Sequence, residues 1–266
     1  MNLLHDDAHA IDVPDVMARF QRDGYARLGR MASDDALRAM RTRSDDIMLG
    51  RVTYDGLFFQ LDTDTGRYEE LVYGRGWEGP SLNYRKIEKV ERDPVFLAWI
   101  ENPILERIIR ARMPTMEEDV VLYRAVIMSK SASGGTNLPW HQDGGAFWGL
   151  DRDPEIQVWT ALDDAPADAG CVEILPGTHG ALATPLGGVV PKEILAKRAD
   201  IESRVVPLPA RAGEAILIHN YAWHRSGVNT TGQPRRALSV CYMPATTRCL
   251  RKRRAPREFH RVFTRR

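Results

Sequence analysis

The sequence predicts a mainly β protein, a double-stranded β-helix (jelly roll, cupin-like) with flanking helices. Short apolar segments separated by frequent turn signals, from residue 120 onward, carry this prediction. The 266 residues are 43% hydrophobic and 27% charged, which is typical of globular proteins, and they contain no internal repeat or linker. We therefore expect one domain, with N-terminal helices and pocket loops over 1–113, a jelly-roll core over 114–247 and a basic tail over 248–266.

Two helices and a strand are predicted at the start of the chain. Residues 15–22 form the first helix, and residues 25–29 form a short strand after it. Residues 34–48 form the second helix, because Ser33 can cap its N-terminus and acidic residues occupy its first turn. This region is expected to pack outside the roll.

The middle of the chain changes from loops to a helix and then to strands. Residues 51–85 are rich in Gly, Tyr and Phe without clear periodicity, which predicts long loops with short strands that wall a pocket. Apolar residues at helical spacing predict a third helix over 94–113, broken or bent near Pro103. The predicted strands of the roll are 120–129, 138–143, 156–162, 171–175, 203–208, 214–219 and 235–243.

Composition also indicates the cellular compartment of the protein. Cys171, Cys241 and Cys249 have no paired spacing, which indicates a thiol-reducing compartment. Residues 1–7 carry acids and lack the long apolar core of a secretory signal, and no apolar run approaches the length of a transmembrane helix. We expect a cytoplasmic protein with no membrane partner.

Charge is unevenly distributed along the chain. The chain has 37 basic and 36 acidic residues, and the tail contains nine of the basic residues and one of the acidic ones. Residues 1–247 therefore contain 28 basic and 35 acidic residues. Such a tail can contact nucleic acid or an anionic carrier, but the favoured interpretation is a segment that lies against the acidic body or a partner subunit. Assembly into a homo-oligomer therefore remains an open alternative. The nine basic residues of the tail are Arg248, Arg251, Lys252, Arg253, Arg254, Arg257, Arg261, Arg265 and Arg266.

Metal-ligand chemistry is indicated by two separated segments. His141 and Asp143 are two apart in a predicted strand, so their side chains point to one face, roughly 6 to 7 Å apart along the chain. Gly144 and Gly145 follow directly, as expected where the backbone bends beside a metal. His224 can supply a second imidazole. Two imidazoles and one carboxylate leave coordination positions open, which is the non-haem Fe(II) arrangement.

An arginine stands eleven residues after His224. Arg235 begins the returning strand, where it can clamp a dicarboxylate through two parallel charge-assisted hydrogen bonds. The implied cosubstrate is 2-oxoglutarate. Arg236 should face the opposite side of the strand, and exchange of the two roles is the main alternative.

Four motifs, in this order, resemble the phytanoyl-CoA dioxygenase family of Fe(II)/2-oxoglutarate oxygenases. With the opening Phe20 to Tyr25, the resemblance covers most of the chain, and its motifs are specific when taken together. The motifs are Pro139-Trp140-His141-Gln142-Asp143, Ala161-Leu162-Asp163-Asp164, Gly170-Cys171 with Pro176-Gly177-Thr178-His179, and His224-Arg225-Ser226-Gly227-Val228-Asn229 followed by Arg235.

The resemblance implies a role for each matching residue. It implies that His141, Asp143 and His224 ligate iron, with dioxygen as the second cosubstrate, and that Arg235 grips the distal carboxylate of 2-oxoglutarate. Ser226 would assist that grip, Lys89 resembles a family lysine near the cosubstrate, and Trp159 would lie in the wall of the site. Halogenating relatives carry a small residue at the Asp143 position, so the carboxylate here favours hydroxylation.

Other candidate residues have two interpretations each. Phe147 and Trp148 are either core aromatics or a lid over the substrate. His179 either stabilises its turn or contacts the substrate, and the first is favoured. His219 competes as a metal ligand, but its apolar strand favours a hydrogen-bonded core role. Adjacent Asp163 and Asp164 would face opposite ways, so they favour capping over paired acid-base catalysis.

The leading function is hydroxylation of an unactivated carbon of a small-molecule metabolite, with release of succinate and CO2. The alternatives share the cofactor chemistry and give desaturation, cyclisation or epimerisation, or they keep the ligands in a non-catalytic binding protein. Nucleic-acid oxidation is a further alternative that rests on the basic tail, and it is disfavoured. The sequence does not identify the substrate, since specificity resides in the loops.

Overall fold

The computed structural model describes residues 2–115, 117–132, 134–198, 200–252 and 257–265, so the predicted tail bases Arg253, Arg254 and Arg266 lie outside the described residues. Two antiparallel sheets pack face to face with helices on the outside of the larger one, which confirms the jelly-roll prediction. In the described part of the chain, no helix has the length and apolar character needed to cross a membrane.

The helices begin and end at recognisable caps. Helix α1 spans Val13–Asp23, and α2 spans Asp34–Met48 after Ser33, whose hydroxyl accepts a hydrogen bond from the Ala36 N–H at 3.1 Å. The predicted helix over 94–113 takes the broken form, as two helices, α3 (Pro94–Ile100) and α4 (Pro103–Arg110). The break lies at Pro103 because Asn102 caps a new helix whose first residue is Pro103. Two short helices follow later, α5 (Lys192–Leu195) and α6 (Ile201–Arg204).

The larger sheet has eight strands and takes in segments from both ends of the chain. Its order is β1-β10-β6-β12-β4-β3-β2, and β13 also pairs with β4. Three strands from before residue 114 and one from the tail therefore belong to the same sheet as the predicted core. The strands are β1 (Tyr25–Arg30), β2 (Phe58–Leu61), β3 (Tyr84–Glu88), β4 (Val120–Lys130), β6 (Ile156–Ala161), β10 (Glu214–His219), β12 (Arg235–Pro244) and β13 (Arg261–Phe263).

The smaller sheet has five strands in the order β8-β5-β11-β7-β9. They are β5 (Leu138–Gln142), β7 (Val172–Leu175), β8 (Gly188–Val189), β9 (Val206–Leu208) and β11 (Trp223–Ser226). Strand β11 was not among the predicted strands, and β9 begins later than predicted because α6 occupies 201–204. Sequence periodicity is weak in strands this short, since four residues give only two on each face.

Alternation along the larger sheet separates two apolar clusters. Val158 packs outward with the helices, whereas its neighbour Trp159 packs inward with residues of the smaller sheet such as Ile174. The two sheets therefore face each other across an interior that is partly apolar. The candidate site occupies this interior.

The described residues of the basic tail, 248–252 and 257–265, make contacts with the body of the protein. Arg248 pairs with Asp151 at 2.8 Å, and Arg261 pairs with Asp119. Arg251 donates a hydrogen bond to the Phe147 carbonyl. These contacts agree with the favoured interpretation of the tail as a segment packed on acidic parts of the chain.

Candidate metal centre

The three predicted metal ligands meet on the smaller sheet. His141 on β5 lies directly across from His224 on β11 in the antiparallel register, and Asp143 follows β5. The candidate ligand atoms of the three residues all lie within 4.8 Å of one another, and the two imidazole rings are 4.0 Å apart at their centroids. Strand pairing thus joins residues that are 83 positions apart in the chain.

Both imidazoles are oriented by the backbone. The Nδ1 of His141 lies 3.0 Å from the Pro139 carbonyl, and the Nδ1 of His224 lies 2.9 Å from the Ala222 carbonyl. A carbonyl only accepts, so each Nδ1 carries the proton and each Nε2 presents a lone pair. Burial lowers the pKa of His141 to about 3, which keeps this ring neutral at physiological pH. The pair is therefore ready to bind a cation.

Arg124 holds the carboxylate of Asp143. Its Nη2 donates to Asp143 Oδ2 at 2.8 Å, and Gln157 Nε2 donates to the same oxygen at 3.1 Å. Burial, the largest single effect, would raise the pKa of Asp143, but Arg124 and the two histidines together outweigh it and hold that pKa below its ordinary value. Both bonds reach Oδ2, so Oδ1 accepts neither of them.

A cavity of about 260 Å³ lies between the sheets beside the three ligands. Its wall is largely apolar and aromatic, with polar side chains placed at a few points. Asp143 is the only carboxylate among the described residues that line it, whereas four lysine or arginine residues of the larger sheet line it as well. The cavity is therefore electropositive and suits anionic molecules.

The predicted cosubstrate residues Arg235, Ser226 and Trp159 all line this cavity. Arg235 is 4% exposed, and its guanidinium lies over the Trp159 ring at 5.8 Å and donates to the Gly170 carbonyl at 2.9 Å. Its Nε is buried without a hydrogen-bond partner. Burial lowers the pKa of Arg235 to about 10, so the side chain stays positive at neutral pH. A buried cation with an unused donor fits a carboxylate from a ligand.

Arg236 takes the opposite side of β12, as the alternation predicts. It makes paired hydrogen bonds to Asp163 and a further one to Asp45 of α2. Asp164, the neighbour of Asp163, accepts from the Ala212 N–H at 2.8 Å. These two aspartates therefore serve the packing of the fold and lie away from the cavity.

The two predicted aromatic residues occupy different surroundings. Trp148 is buried and stacks on Tyr123 at 4.1 Å, with the Arg124 guanidinium 5.0 Å from its ring centroid. Phe147 is 68% exposed at the edge of the cavity. Trp148 is thus a rigid part of the wall, and Phe147 has the exposure expected of a lid.

Two predicted site residues lie elsewhere. Lys89 follows the end of β3 with φ of 68° and does not line the cavity, because the chain turns away from the sheet at this residue. Lys86, three positions earlier, enters the cavity instead. His179 does not line the cavity; it hydrogen-bonds the Gln21 carbonyl of α1 through Nε2 at 3.0 Å and packs against His219, so it joins its loop to the helix rather than stabilising its own turn.

His219 belongs to the packing beneath α1. It is 7% exposed, contacts the rings of Phe20 and His179, and accepts the Tyr221 N–H at Nδ1. Burial lowers its pKa to about 3. The non-ligand interpretation of His219 therefore agrees with its surroundings.

His219 should make the metal-free protein sensitive to acid. Its pKa rises to about 6.5 on unfolding, so below pH 6.5 only the unfolded state takes up the proton, and stability falls as the pH falls toward 3. Between pH 7 and pH 5 this costs about 2 kcal/mol. Because glutamine does not titrate, the free energy of unfolding of His219→Gln, measured in urea, should fall between pH 7 and pH 5 by about 2 kcal/mol less than that of the wild type. Equal losses in both proteins would contradict the assignment.

Several residues of the site were missed by sequence reasoning. Arg124 is a charged residue inside the apolar strand 120–129, and that mismatch was a usable signal. The others come from segments without periodicity or carry amide and hydroxyl groups that are common everywhere. They are Lys86, Gln157 and Ser239, whereas the lining residues Gln60, Tyr68, Tyr73 and Arg85 lie in 51–85, the segment predicted to wall a pocket.

Comparisons with known proteins agree with this geometry. The family model described as phytanoyl-CoA dioxygenase (PhyH) matches residues 20–237. The chain is 28% identical over 258 residues to phytanoyl-CoA dioxygenase domain-containing protein 1 of Danio rerio, covering 85% of this chain and 88% of that one. The family-model match over residues 20–237 includes all three candidate ligands and Arg235.

Solved structures share the fold at low sequence identity. EctD from S. alaskensis, determined with 2-oxoglutarate and 5-hydroxyectoine, is 20% identical, with a TM-score of 0.71 over 99% of this chain and 90% of that one. The non-heme alpha ketoglutarate dependent carbocyclase SnoK from nogalamycin biosynthesis is 18% identical, with a TM-score of 0.70 over 96% and 98%.

Proposed function

The chain belongs to the phytanoyl-CoA dioxygenase family, and from this premise we propose that it hydroxylates an unactivated carbon of a small-molecule metabolite, using Fe(II), 2-oxoglutarate and dioxygen and releasing succinate and CO2. One observation carries the proposal: two neutral imidazoles and one carboxylate converge beside a cavity whose far wall holds a buried arginine with an unused donor. The donor set is the one that suits non-haem iron.

Each residue has a distinct task in this proposal. His141, Asp143 and His224 hold the metal, Arg235 and Ser226 bind the distal carboxylate of 2-oxoglutarate, and the Trp159 ring fills the wall beside them. The bound iron supplies dioxygen activation, with 2-oxoglutarate as the two-electron reductant. The buried wall around the ligands limits access of water.

Arg124 is a positioning residue in this arrangement. With one guanidinium nitrogen on Asp143 Oδ2, it fixes the direction in which Oδ1 points and shields the carboxylate from protonation. Stacking of Trp148 on Tyr123 supports the guanidinium from the side. The three ligands are thereby preorganised before the metal binds.

Turnover without substrate tests the proposal. The protein, loaded anaerobically with Fe(II) and 2-oxoglutarate, should show a metal-to-ligand charge-transfer absorption and release succinate slowly on exposure to air. Zn(II) in place of Fe(II) should support neither. Absence of both signals in folded, iron-loaded protein would refute the oxygenase function, and their presence would exclude a purely binding protein.

Product mass identifies the reaction once a substrate is found. Candidate metabolites that shift the charge-transfer band are incubated with the loaded enzyme and air. Hydroxylation adds one oxygen atom to the substrate, whereas desaturation or cyclisation removes two hydrogen atoms and epimerisation leaves the mass unchanged. A product without the added oxygen would replace hydroxylation by one of these alternatives.

A further inference from the structure

A β-bulge directs Arg85 into the cavity. On β3, Lys86 pairs with Gln60 of β2 and Tyr84 pairs with Leu61, so Arg85 is the extra residue between them. Tyr84 and Ile87 both pack in the apolar core outside the sheet, although strict alternation would place residues three apart on opposite faces. The bulge therefore puts Arg85 and Lys86 together on the cavity side.

Arg85 differs from most other cations of the cavity in lacking an acidic partner. Five lysine or arginine side chains line it among the residues that the structure describes. Within this described set, Arg85 and Arg235 form no ion pair with a carboxylate. The other three are paired, Lys86 with Glu88, Arg124 with Asp143, and Arg225 with Glu173 and Glu202.

A neutral amide group contacts the Arg85 guanidinium. Its Nη1 donates to Gln60 Oε1 at 3.0 Å, which orients the side chain without neutralising it. Asp62 acts on Arg85 electrostatically without an ion pair to it; its Oδ1 accepts the backbone N–H and hydroxyl of Thr136, and its Oδ2 is buried without a hydrogen-bond partner. Burial lowers the pKa of Arg85, as expected for a cation that lacks a close counter-charge.

A hydroxyl donor lies in the same wall. Tyr73 donates to the Tyr68 hydroxyl at 3.3 Å, so the Tyr68 proton is available to an acceptor in the cavity. Burial raises the pKa of Tyr68 to about 12, which keeps this hydroxyl protonated at physiological pH. Both tyrosines are near enough to Arg85 to affect its pKa electrostatically.

We propose that Arg85, with Gln60 and Tyr68 beside it, is a subsite for an anionic group of the substrate, a carboxylate or a phosphonate. The inference rests on the proposed function, because it assigns Arg235 to 2-oxoglutarate. Strands β12 and β3 are separated by β4, so the backbones that carry the two arginines are about 10 Å apart. Substrate and cosubstrate can therefore each bind one arginine at the same time, and the two anions offset the mutual repulsion of the cations.

Matched ligand pairs that differ in charge test the subsite. Hexanoate and hexanamide, phenylacetate and phenylacetamide, and hexylphosphonate and its dimethyl ester are titrated by calorimetry into anaerobic protein holding Fe(II) and 2-oxoglutarate. At least one anion should bind tenfold or more tightly than its neutral partner. Arg85→Gln should remove that preference, and Arg85→Lys should keep part of it, because lysine retains the charge but not the planar fork. Arg92→Gln, an exposed arginine after the same strand, should leave it unchanged.

The outcomes separate the subsite from the oxygenase proposal. No preference for any of the three anions, or a preference that survives in folded Arg85→Gln, would overturn the subsite. The KM for 2-oxoglutarate in substrate-free succinate release should stay within about twofold of wild type in Arg85→Gln, and a large rise would assign Arg85 to the cosubstrate instead. Calorimetric binding does not require turnover, so absent succinate release would count against the oxygenase function alone.

Discussion

Asp143→Ala is expected to abolish succinate release and to weaken Fe(II) binding by roughly 100-fold or more, since even the loss of an outer partner of a metal ligand costs 10- to 100-fold. Asp143 supplies the only carboxylate among the three converging side chains. Without it, two neutral imidazoles are left to hold a dication. Equilibrium dialysis of Fe(II) and anaerobic titration of the charge-transfer band measure the loss.

Asp143→Ala removes the ion-pair partner of Arg124 as well as a metal ligand, so the effects of these two losses must be distinguished. A largely buried guanidinium without its carboxylate costs about 3–5 kcal/mol, so Asp143→Ala should also unfold at lower urea concentration. Asp143→Asn keeps an oxygen for Arg124 but provides a weaker metal ligand, so it should recover stability more than activity. The exposed Asp55→Ala serves as the control. Near-normal turnover in Asp143→Asn and Asp143→Ala would rule out the three-residue metal site.

Arg235→Gln should raise the KM for 2-oxoglutarate by roughly 100-fold or more while Fe(II) binding stays near that of the wild type. The substitution removes two charge-assisted hydrogen bonds to the distal carboxylate, each contributing about 1.5–3 kcal/mol, and tenfold corresponds to about 1.4 kcal/mol. The metal ligands lie on the other sheet and are untouched. Substrate-free succinate release over a range of 2-oxoglutarate concentrations gives the KM directly.

The neighbouring arginine provides the matched control for this prediction. Arg236 is bonded to Asp163 and Asp45, so Arg236→Gln should lower the stability of the protein but leave the KM for 2-oxoglutarate unchanged. Arg235→Lys should recover only part of the affinity, because an ammonium group cannot make the two parallel bonds. If Arg236→Gln raised the KM and Arg235→Gln did not, the two arginines would exchange roles.

Long periodic elements were predictable from the sequence, whereas short ones were not. The strand predicted over 120–129 is β4, and the helix predicted over 34–48 has those same bounds. By contrast, β11 has four residues and β13 lies in the basic tail, so neither carries a hydrophobic pattern long enough to detect. The sequence predicted a break or a bend near Pro103 without deciding between them, because a proline inside an apolar helical pattern can either bend a helix or begin a new one.

Within the site, the residues that stand in specific motifs were placed correctly in the cavity, whereas a residue from a short match was not. His141, Asp143, His224 and Arg235 stand in motifs whose spacing has a direct geometric meaning, and the structure brings them to one cavity. Lys89 stood in a short match, and the turn after β3 leaves it outside the cavity. Lys86 and Arg85 line the cavity instead. The orientation of Arg85 depends on a β-bulge that no local sequence feature predicts.

By itself, the sequence determined the chemical groups and their strand periodicity, and these sufficed to predict the jelly roll, the convergence of His141, Asp143 and His224, and the placement of Arg235 in the same cavity. Tertiary structure decided which cations of the cavity are neutralised and which stay available. Arg124 is matched to Asp143 through packing of β4 near β5, whereas Arg85 donates to the neutral amide of Gln60 and forms no ion pair among the described residues. The physical reason is that strand alternation is local, whereas ion pairing depends on register and bulges between strands distant in sequence.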